Sequence, residues 1–146
     1  MNVEALAAAT RQKLVTISSD APLIEAAKVL KSGLDLVVVC NAEHQLVGVV
    51  SKTDVVERIS SCQGSSCTCA VATVMTTDVL TCGPGDSVTS VWEIMRARAV
   101  KNVPVVDVQR HPAGLLTAGD ALQALLNETS SEEQIMRDYV MGFGYR

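Results

Sequence analysis

The amino-acid sequence contains the same pattern twice, and this internal repeat limits the possible folds more than any other feature. Apolar residues with the spacing of one helix face recur 65 positions later: Leu23, Ala26, Ala27 and Leu30 correspond to Val88, Val91, Trp92 and Met95. Downstream the offset is 66, because one residue is inserted between Met95 and Val103. A unit of about 60 residues buries too little surface to be stable on its own, so we expect the two copies to pack together.

Each copy is predicted to fold in the order strand, helix, strand, strand, helix. In the first copy these elements are Leu14–Ser18, Pro22–Lys31, Leu36–Cys40, Leu46–Ser51 and Lys52–Ser60. In the second copy they are Val79–Cys82, Ser87–Arg98, Val103–Val106, Gly114–Thr117 and Ala118–Asn127. Short valine-rich strands of this kind are typical of a buried sheet that helices cover on one side.

The repeat predicts an α/β (α+β) fold in which two β-α-β-β-α units pack sheet to sheet with pseudo-two-fold symmetry. A crevice between the halves is the kind of place where small-molecule sites form. The predicted organisation is an N-terminal helical segment (1–12), a first repeat (13–60), a linker rich in Cys, Ser and Gly (61–70), a second repeat (71–127), and a C-terminal helix and tail (128–146).

The pattern with the clearest chemical meaning occurs once in each copy: Gly, two apolar residues, a hydroxyl residue, two further residues and Asp. It runs from Gly48 to Asp54 and from Gly114 to Asp120. The glycine lets a ligand or another backbone approach the strand, and the hydroxyl and carboxylate stand where a helix begins with free amide groups. There they can hold ribose hydroxyls and a phosphate. The alternative is a capping box that needs no ligand.

With these motifs the chain resembles the tandem CBS domain pair, or Bateman module, over about residues 13 to 127. Two further segments carry the resemblance, Val74-Met75-Thr76 and Val103-Pro104-Val105-Val106-Asp107. It implies a regulatory protein that binds an adenosine-containing ligand in the cleft between the repeats: AMP, ADP, ATP, NAD or S-adenosylmethionine. It also implies a homodimer, and signalling through changes in conformation or in the dimer.

The resemblance assigns roles to particular residues. Asp54 and Asp120 match the aspartates that hold ribose hydroxyls, and Ser51 and Thr117 match the hydroxyl beside the ribose or phosphate. Positions in the first strands of both copies often line the nucleotide pocket. The complete set of candidate ligand-binding residues is Thr16, Gly48, Ser51, Lys52, Asp54, Thr81, Pro104, Gly114, Thr117 and Asp120.

The chain departs from the family pattern just before each motif aspartate, where phosphate-binding members commonly have a basic residue. Here those positions are Thr53 and Gly119, and Lys52 stands one place earlier in the first motif. The second motif, with Ala118 and Gly119, is electrostatically poorer for a polyphosphate. Two nucleotide sites and a single occupied site both remain open.

A second candidate site lies in the predicted linker, where Cys62, Cys67 and Cys69 fall within eight residues. Three thiols on a loop can ligate zinc or copper, join an iron–sulfur cluster or form a redox disulfide. The spacing matches no paired Cys-x-x-Cys frame, so free thiols in a small-residue linker are the alternative. The competing function is a redox- or metal-responsive protein with the repeats as a dimerisation scaffold. Cys40 and Cys82, on strands, are predicted core residues.

Composition and charge argue against several other classes. Twelve basic and 16 acidic residues give a net charge of −4, and only four residues are aromatic, so no nucleic-acid partner is expected. With no apolar run of about 18 residues and no secretory signal pattern, we expect a cytoplasmic protein with no membrane contact. Common catalytic motifs are missing, so we predict that the chain is not an enzyme and signals to an unidentified protein target. A purely structural dimerisation module is the third alternative.

Overall fold

The computed structural model describes residues 1–31, 34–60 and 69–128, and it contains two small sheets. The first repeat has β1 (Thr16–Ser18), α2 (Leu23–Lys31), β2 (Leu36–Cys40), β3 (Leu46–Ser51) and α3 (Lys52–Ser60). The second has α4 (Val88–Arg98), β4 (Asn102–Val106), β5 (Pro112–Thr117) and α5 (118–128). A 3₁₀ turn (Val3–Leu6) and α1 (Ala7–Lys13) precede the first repeat, and another 3₁₀ turn (Val71–Thr73) precedes the second.

The two sheets follow the predicted order, with one strand shortened. β2 lies between a parallel β1 and an antiparallel β3, and β4 pairs antiparallel with β5. The strand predicted over Val79–Cys82 is reduced to a single parallel bridge between Cys82 and Val105. The Cys82 amide donates to the Pro104 carbonyl at 3.0 Å. In the first repeat the Val38 amide donates to the Val15 carbonyl, but the equivalent residue of β4 is Pro104, which has no amide hydrogen to donate, so the pairing does not extend towards Val79.

Alternation along the strands places the core on both faces of the first sheet. Val37 and Val39 in β2 pack in the core beneath α2, whereas Val38 and Cys40 pack in a third cluster that includes Val106 of the second repeat. Successive side chains of a strand point to opposite faces, so one strand serves both its own repeat and the contact between repeats. The predicted sheet-to-sheet α/β fold is confirmed.

The segment that precedes each repeat (3–13 and 71–76) packs against the other repeat, and we call these two the crossing segments. Near the N-terminus, the Val3 amide donates to the Asp86 carbonyl at 2.9 Å, and α1 packs along β5, so the start of the chain belongs structurally to the second repeat. In return, Val49 of β3 exchanges two backbone hydrogen bonds with Thr76, at 2.9 and 2.8 Å. The last strand of each repeat is therefore covered by the segment that precedes the other repeat.

Two parts of the predicted organisation fall outside the described residues: most of the linker, and the C-terminal helix and tail beyond residue 128. The domain boundaries therefore stay predictions. Within the described residues, no helix is both long and apolar enough to cross a membrane. The cytoplasmic location stays a prediction as well.

Candidate functional site

The first motif forms a complete capping box at the junction of β3 and α3. The Ser51 amide donates to Asp54 Oδ2 at 3.0 Å, and the Asp54 amide donates to Ser51 Oγ at 3.2 Å. The crossing segment adds a third polar group, since Thr76 Oγ1 lies 3.4 Å from both carboxylate oxygens of Asp54. The partners of the Asp54 carboxylate in the described chain are thus uncharged, and a carboxylate has room for further donors.

The second motif is built differently. The Asp120 amide donates to Thr117 Oγ1 at 3.1 Å, but within the described residues the Thr117 amide does not return a bond to the carboxylate. Instead Lys13, the last residue of α1, places its Nζ 2.6 Å from Asp120 Oδ2 and 3.5 Å from Thr117 Oγ1. The expectation that this motif is electrostatically poor, drawn from its neighbours in sequence, is therefore wrong, because the cation comes from the other end of the described chain.

Both motif glycines lie under the crossing segments. A Cβ on Gly48 would lie 2.8 Å from the Met75 sulfur and 2.8 Å from the Thr76 carbonyl oxygen. A Cβ on Gly114 would lie 2.5 Å from Thr10 Oγ1. A glycine at these positions could allow the close approach of a ligand or of another part of the chain. The structure shows the close approach of another part of the chain at both glycines.

A cavity of about 130 Å³ lies between the repeats and next to the first motif. Its lining combines Val49 of β3 with Asp78, Arg98 and Pro104 of the second repeat. Val49 is hydrogen-bonded to Thr76, and the Thr76 hydroxyl reaches the Asp54 carboxylate, so the cavity wall and the motif are directly connected. This volume is smaller than the roughly 300 Å³ or more of cavities that hold a complete small-molecule ligand.

The other predicted ligand-binding residues lie apart from this cavity. Thr16 is exposed at the start of β1. Thr81 lines a separate cavity of about 390 Å³ together with Asp86 and Ser90. The Lys52 side chain is 51% exposed, and its Nζ lies 3.6 Å from Asp35 Oδ1. The structure therefore gathers each motif locally and brings Pro104 to the cleft, but it does not bring all ten residues into one site.

The cysteines divide into two groups. Cys40 and Cys82 are buried, as predicted, and burial raises the pKa of both thiols, that of Cys82 to about 12 with a contribution from Asp86. Cys62 and Cys67 lie outside the described residues, whereas Cys69 is half-buried and its carbonyl accepts from the Leu23 amide at 2.8 Å. No cluster of three metal-ligating side chains occurs among residues 1–31, 34–60 and 69–128. The proposed metal or redox role of the cysteines stays a prediction.

Sequence reasoning missed two residues at the motifs, Thr76 and Lys13. The repeat contained a signal for them, since the offset of 65 pairs Thr10 with Met75, and these residues cover the equivalent glycines Gly114 and Gly48. The same offset pairs Lys13 with Asp78, which lines the cleft cavity. Aligning the segments in front of the repeats, as well as the repeats themselves, would have pointed to these positions.

Comparison with known families agrees with the repeat and the motifs. The family model of the CBS domain matches twice, over residues 3–61 and 71–127. The chain belongs to the CBS domain family. Among relatives, it is 28% identical over 113 residues to the CBS domain-containing protein CBSX3, mitochondrial, of Arabidopsis thaliana, covering 75% of this chain and 54% of that protein. The chain spans between 25% and 54% of the length of the curated relatives it matches.

Solved CBS structures share the fold. CBSX2, in complex with AMP, superposes with a TM-score of 0.73 and 22% identity, covering 88% of this chain and 98% of that one. The CBS domain pair of MJ0100, in complex with 5′-methylthioadenosine and S-adenosyl-L-methionine, gives a TM-score of 0.72 at 22% identity with the same coverage. At this identity the comparison establishes the CBS-pair fold, as the sequence predicted.

Proposed function

We propose that this CBS protein is a regulatory module that binds an adenosine-containing ligand between its repeats. The observation that carries the proposal is the first motif: a carboxylate with uncharged partners, at the start of a helix, connected through Thr76 to a cavity in the cleft. Asp54 has the acceptor capacity to take vicinal ribose hydroxyls, and the α3 amides favour an anion. The ligands bound by CBSX2 and MJ0100, which are AMP, 5′-methylthioadenosine and S-adenosyl-L-methionine, support this ligand class.

We expect regulation to come from a difference in ligand affinity between two arrangements of the repeats. A ligand larger than the cavity of about 130 Å³ would favour an arrangement with a wider cleft. A ligand shifts a conformational equilibrium by its difference in affinity for the two states. The sequence contains none of the common catalytic motifs, and this favours a sensor over an enzyme.

Thermal unfolding in the presence of AMP, ADP, ATP, NAD and S-adenosylmethionine, with GTP for comparison, tests the proposal. A ligand that binds only the folded chain stabilises it by about 2.7 kcal/mol at a concentration 100 times its Kd, which corresponds to roughly 10 °C. We expect one adenosyl ligand to raise the midpoint, Asp54→Asn to weaken that shift, and Glu57→Gln, which removes a charge one turn later in α3, to keep it. If no adenosyl ligand shifts the midpoint of the folded chain, the proposed function is wrong.

We also propose that the module is a homodimer that signals to a separate protein. Each repeat exposes apolar side chains on its last helix: Val56 and Ile59 on α3, and Leu122 and Leu126 on α5, each between 42% and 63% exposed. Since the two repeats present similar faces, a second copy can cover both through the same contact. Light scattering should give twice the chain mass, and Val56→Lys with Leu126→Lys should halve it; a wild-type chain that is monomeric at high concentration contradicts this.

A further inference from the structure

The two motifs differ in the charge that faces their aspartates. Asp120 is held by the Lys13 ammonium at 2.6 Å, whereas in the described chain Asp54 meets only amide and hydroxyl donors. The repeat offset of 65 pairs Lys13, before the first repeat, with Asp78, before the second, and these two residues have opposite charges. Of the two motif aspartates in the described chain, only Asp120 is therefore paired with a cation from the segment that precedes the other repeat.

The fold holds Lys13 in this position. Thr10, one turn earlier in α1, is 2% exposed and lies against Gly114, where no larger residue fits without displacing the helix. Docking of α1 on β5 thus fixes the end of the helix beside the second motif. The ion pair itself is accessible, with Lys13 42% and Asp120 22% exposed, so a pair of this kind contributes little to stability and can exchange partners.

Binding of a ribose at the second motif has a definite electrostatic consequence. Ribose hydroxyls that donate to both oxygens of Asp120 compete with the Lys13 ammonium, because they share Oδ2 with an ammonium that is engaged there at 2.6 Å. A neutral nucleoside weakens this ion pair and offers the ammonium no other counter-charge. A nucleoside that carries a phosphate supplies one, and hydrogen bonds between an ammonium and a phosphate are strong and charge-assisted.

We propose that Lys13 is a specificity-determining residue that makes the second half-site select phosphorylated adenosyl ligands over the corresponding nucleoside. This inference rests on the proposed function, since it presumes that the cleft takes adenosyl ligands. Lys13 supplies from α1 the positive charge that Ala118 and Gly119 do not supply within the second motif. In the absence of ligand, the same side chain neutralises Asp120.

Calorimetric titration with AMP and with adenosine tests this inference, in an Asp54→Asn background that removes the carboxylate of the first half-site. We expect AMP to bind on the order of 3- to 10-fold more tightly than adenosine, which is the gain in affinity that one partly exposed, charged hydrogen bond provides. Lys13→Gln should bring the two affinities close together by weakening AMP binding, and Lys13→Arg should restore the preference. Arg11→Gln removes an exposed charge from the same helix and should leave the ratio unchanged.

The outcomes separate the two proposals. If both ligands bind but the ratio of their affinities is the same in Lys13→Gln as in the Lys13 chain, the role of Lys13 is refuted while the proposed function stands. If AMP binds no more tightly than adenosine to the Asp54→Asn chain, or does not bind it at all, the role of Lys13 is also refuted, whereas the proposed function fails only if no adenosyl ligand binds the wild-type chain. Circular dichroism of Lys13→Gln checks that α1 and the fold are retained, because loss of an exposed ion pair should leave the unfolding midpoint nearly unchanged.

Discussion

Replacing Gly48 with alanine is expected to separate the first repeat from the segment that crosses it. The new Cβ would lie 2.8 Å from the Met75 sulfur, 2.9 Å from Met75 Cγ and 2.8 Å from the Thr76 carbonyl oxygen. A methionine side chain can change its rotamer, but the Thr76 oxygen is backbone and accepts from the Val49 amide at 2.9 Å. The crossing segment must therefore shift away from β3.

The size of the effect follows from two contributions. Forcing a methyl group into a filled space costs about 1 to 3 kcal/mol. The shift also strains the two backbone hydrogen bonds between Val49 and Thr76, each worth about 0.5 to 1.5 kcal/mol net. We expect Gly48→Ala to lower the free energy of unfolding by about 2 to 6 kcal/mol, a large part of the roughly 5 to 15 kcal/mol that domains possess.

Urea denaturation followed by far-ultraviolet circular dichroism measures this loss. Gly119→Ala is the matched control, because the nearest atom to its new Cβ is 3.9 Å away, so it should be neutral or stabilising by up to about 1 kcal/mol. Adding Met75→Ala to Gly48→Ala should recover only part of the loss, since the Thr76 oxygen remains. A Gly48→Ala chain as stable as wild type would refute the close packing of the crossing segment, and full recovery with Met75→Ala would refute the role of the Thr76 backbone.

Three further predictions concern the core, a turn and a thiol. Met95→Ala should lower the free energy of unfolding by about 2 to 5 kcal/mol in urea denaturation, because Met95 is 1% exposed in the core of the second repeat; a loss below about 1 kcal/mol would contradict that packing. The amides of His111 and Gln109 donate to Asp107 and lower the pKa of its carboxyl, and the His111 side chain lies 3.5 Å from it. The stability lost in Asp107→Asn should therefore be present at neutral pH and vanish as the pH falls below about 4; a difference that persists in stronger acid would contradict it. Because burial and Asp86 raise the pKa of Cys82 to about 12, mass spectrometry should find Cys82 unmodified by iodoacetamide in the folded chain and modified after unfolding; rapid labelling of the folded chain would contradict it.

Local pattern and repetition were sufficient to predict most of the fold. The bounds predicted for β2, β3 and α3 are those observed, because short runs of valine and a capping box at Ser51 are signals contained within a few residues. The strand predicted over Val79–Cys82 is shortened for a reason outside its own residues, since Pro104 on β4 has no amide hydrogen to donate to it. The general rule is that elements whose boundaries depend on nearby residues can be predicted from one sequence.

The site was predictable only up to its motifs. The bond between Lys13 and Asp120 joins residues 107 positions apart, and the bond between Thr76 and Asp54 depends on a segment crossing to the other repeat. Hydrophobic periodicity records which face of an element is buried, but it does not record which element covers that face. The partners of the two aspartates therefore required the tertiary structure, although the repeat placed Lys13 and Asp78 in equivalent positions.

The crossed segments also determine how a ligand can be sensed. α1 covers Gly114 and ends at Lys13, so a ligand that takes Asp120 from Lys13 acts on the same helix that covers β5. Linkage is reciprocal. If ligand binding changes the equilibrium constant for docking of α1 by some factor, docking of α1 changes the ligand affinity by the same factor. At the first motif the corresponding contacts are the Thr76 hydroxyl, 3.4 Å from Asp54, and the two backbone hydrogen bonds between Thr76 and Val49. None of these groups is a cation that competes with a ligand for the Asp54 carboxylate. Of the two crossing segments, α1 is thus the one that competes with a ligand for a motif carboxylate, and the small contribution of a partly exposed ion pair limits the strength of this coupling.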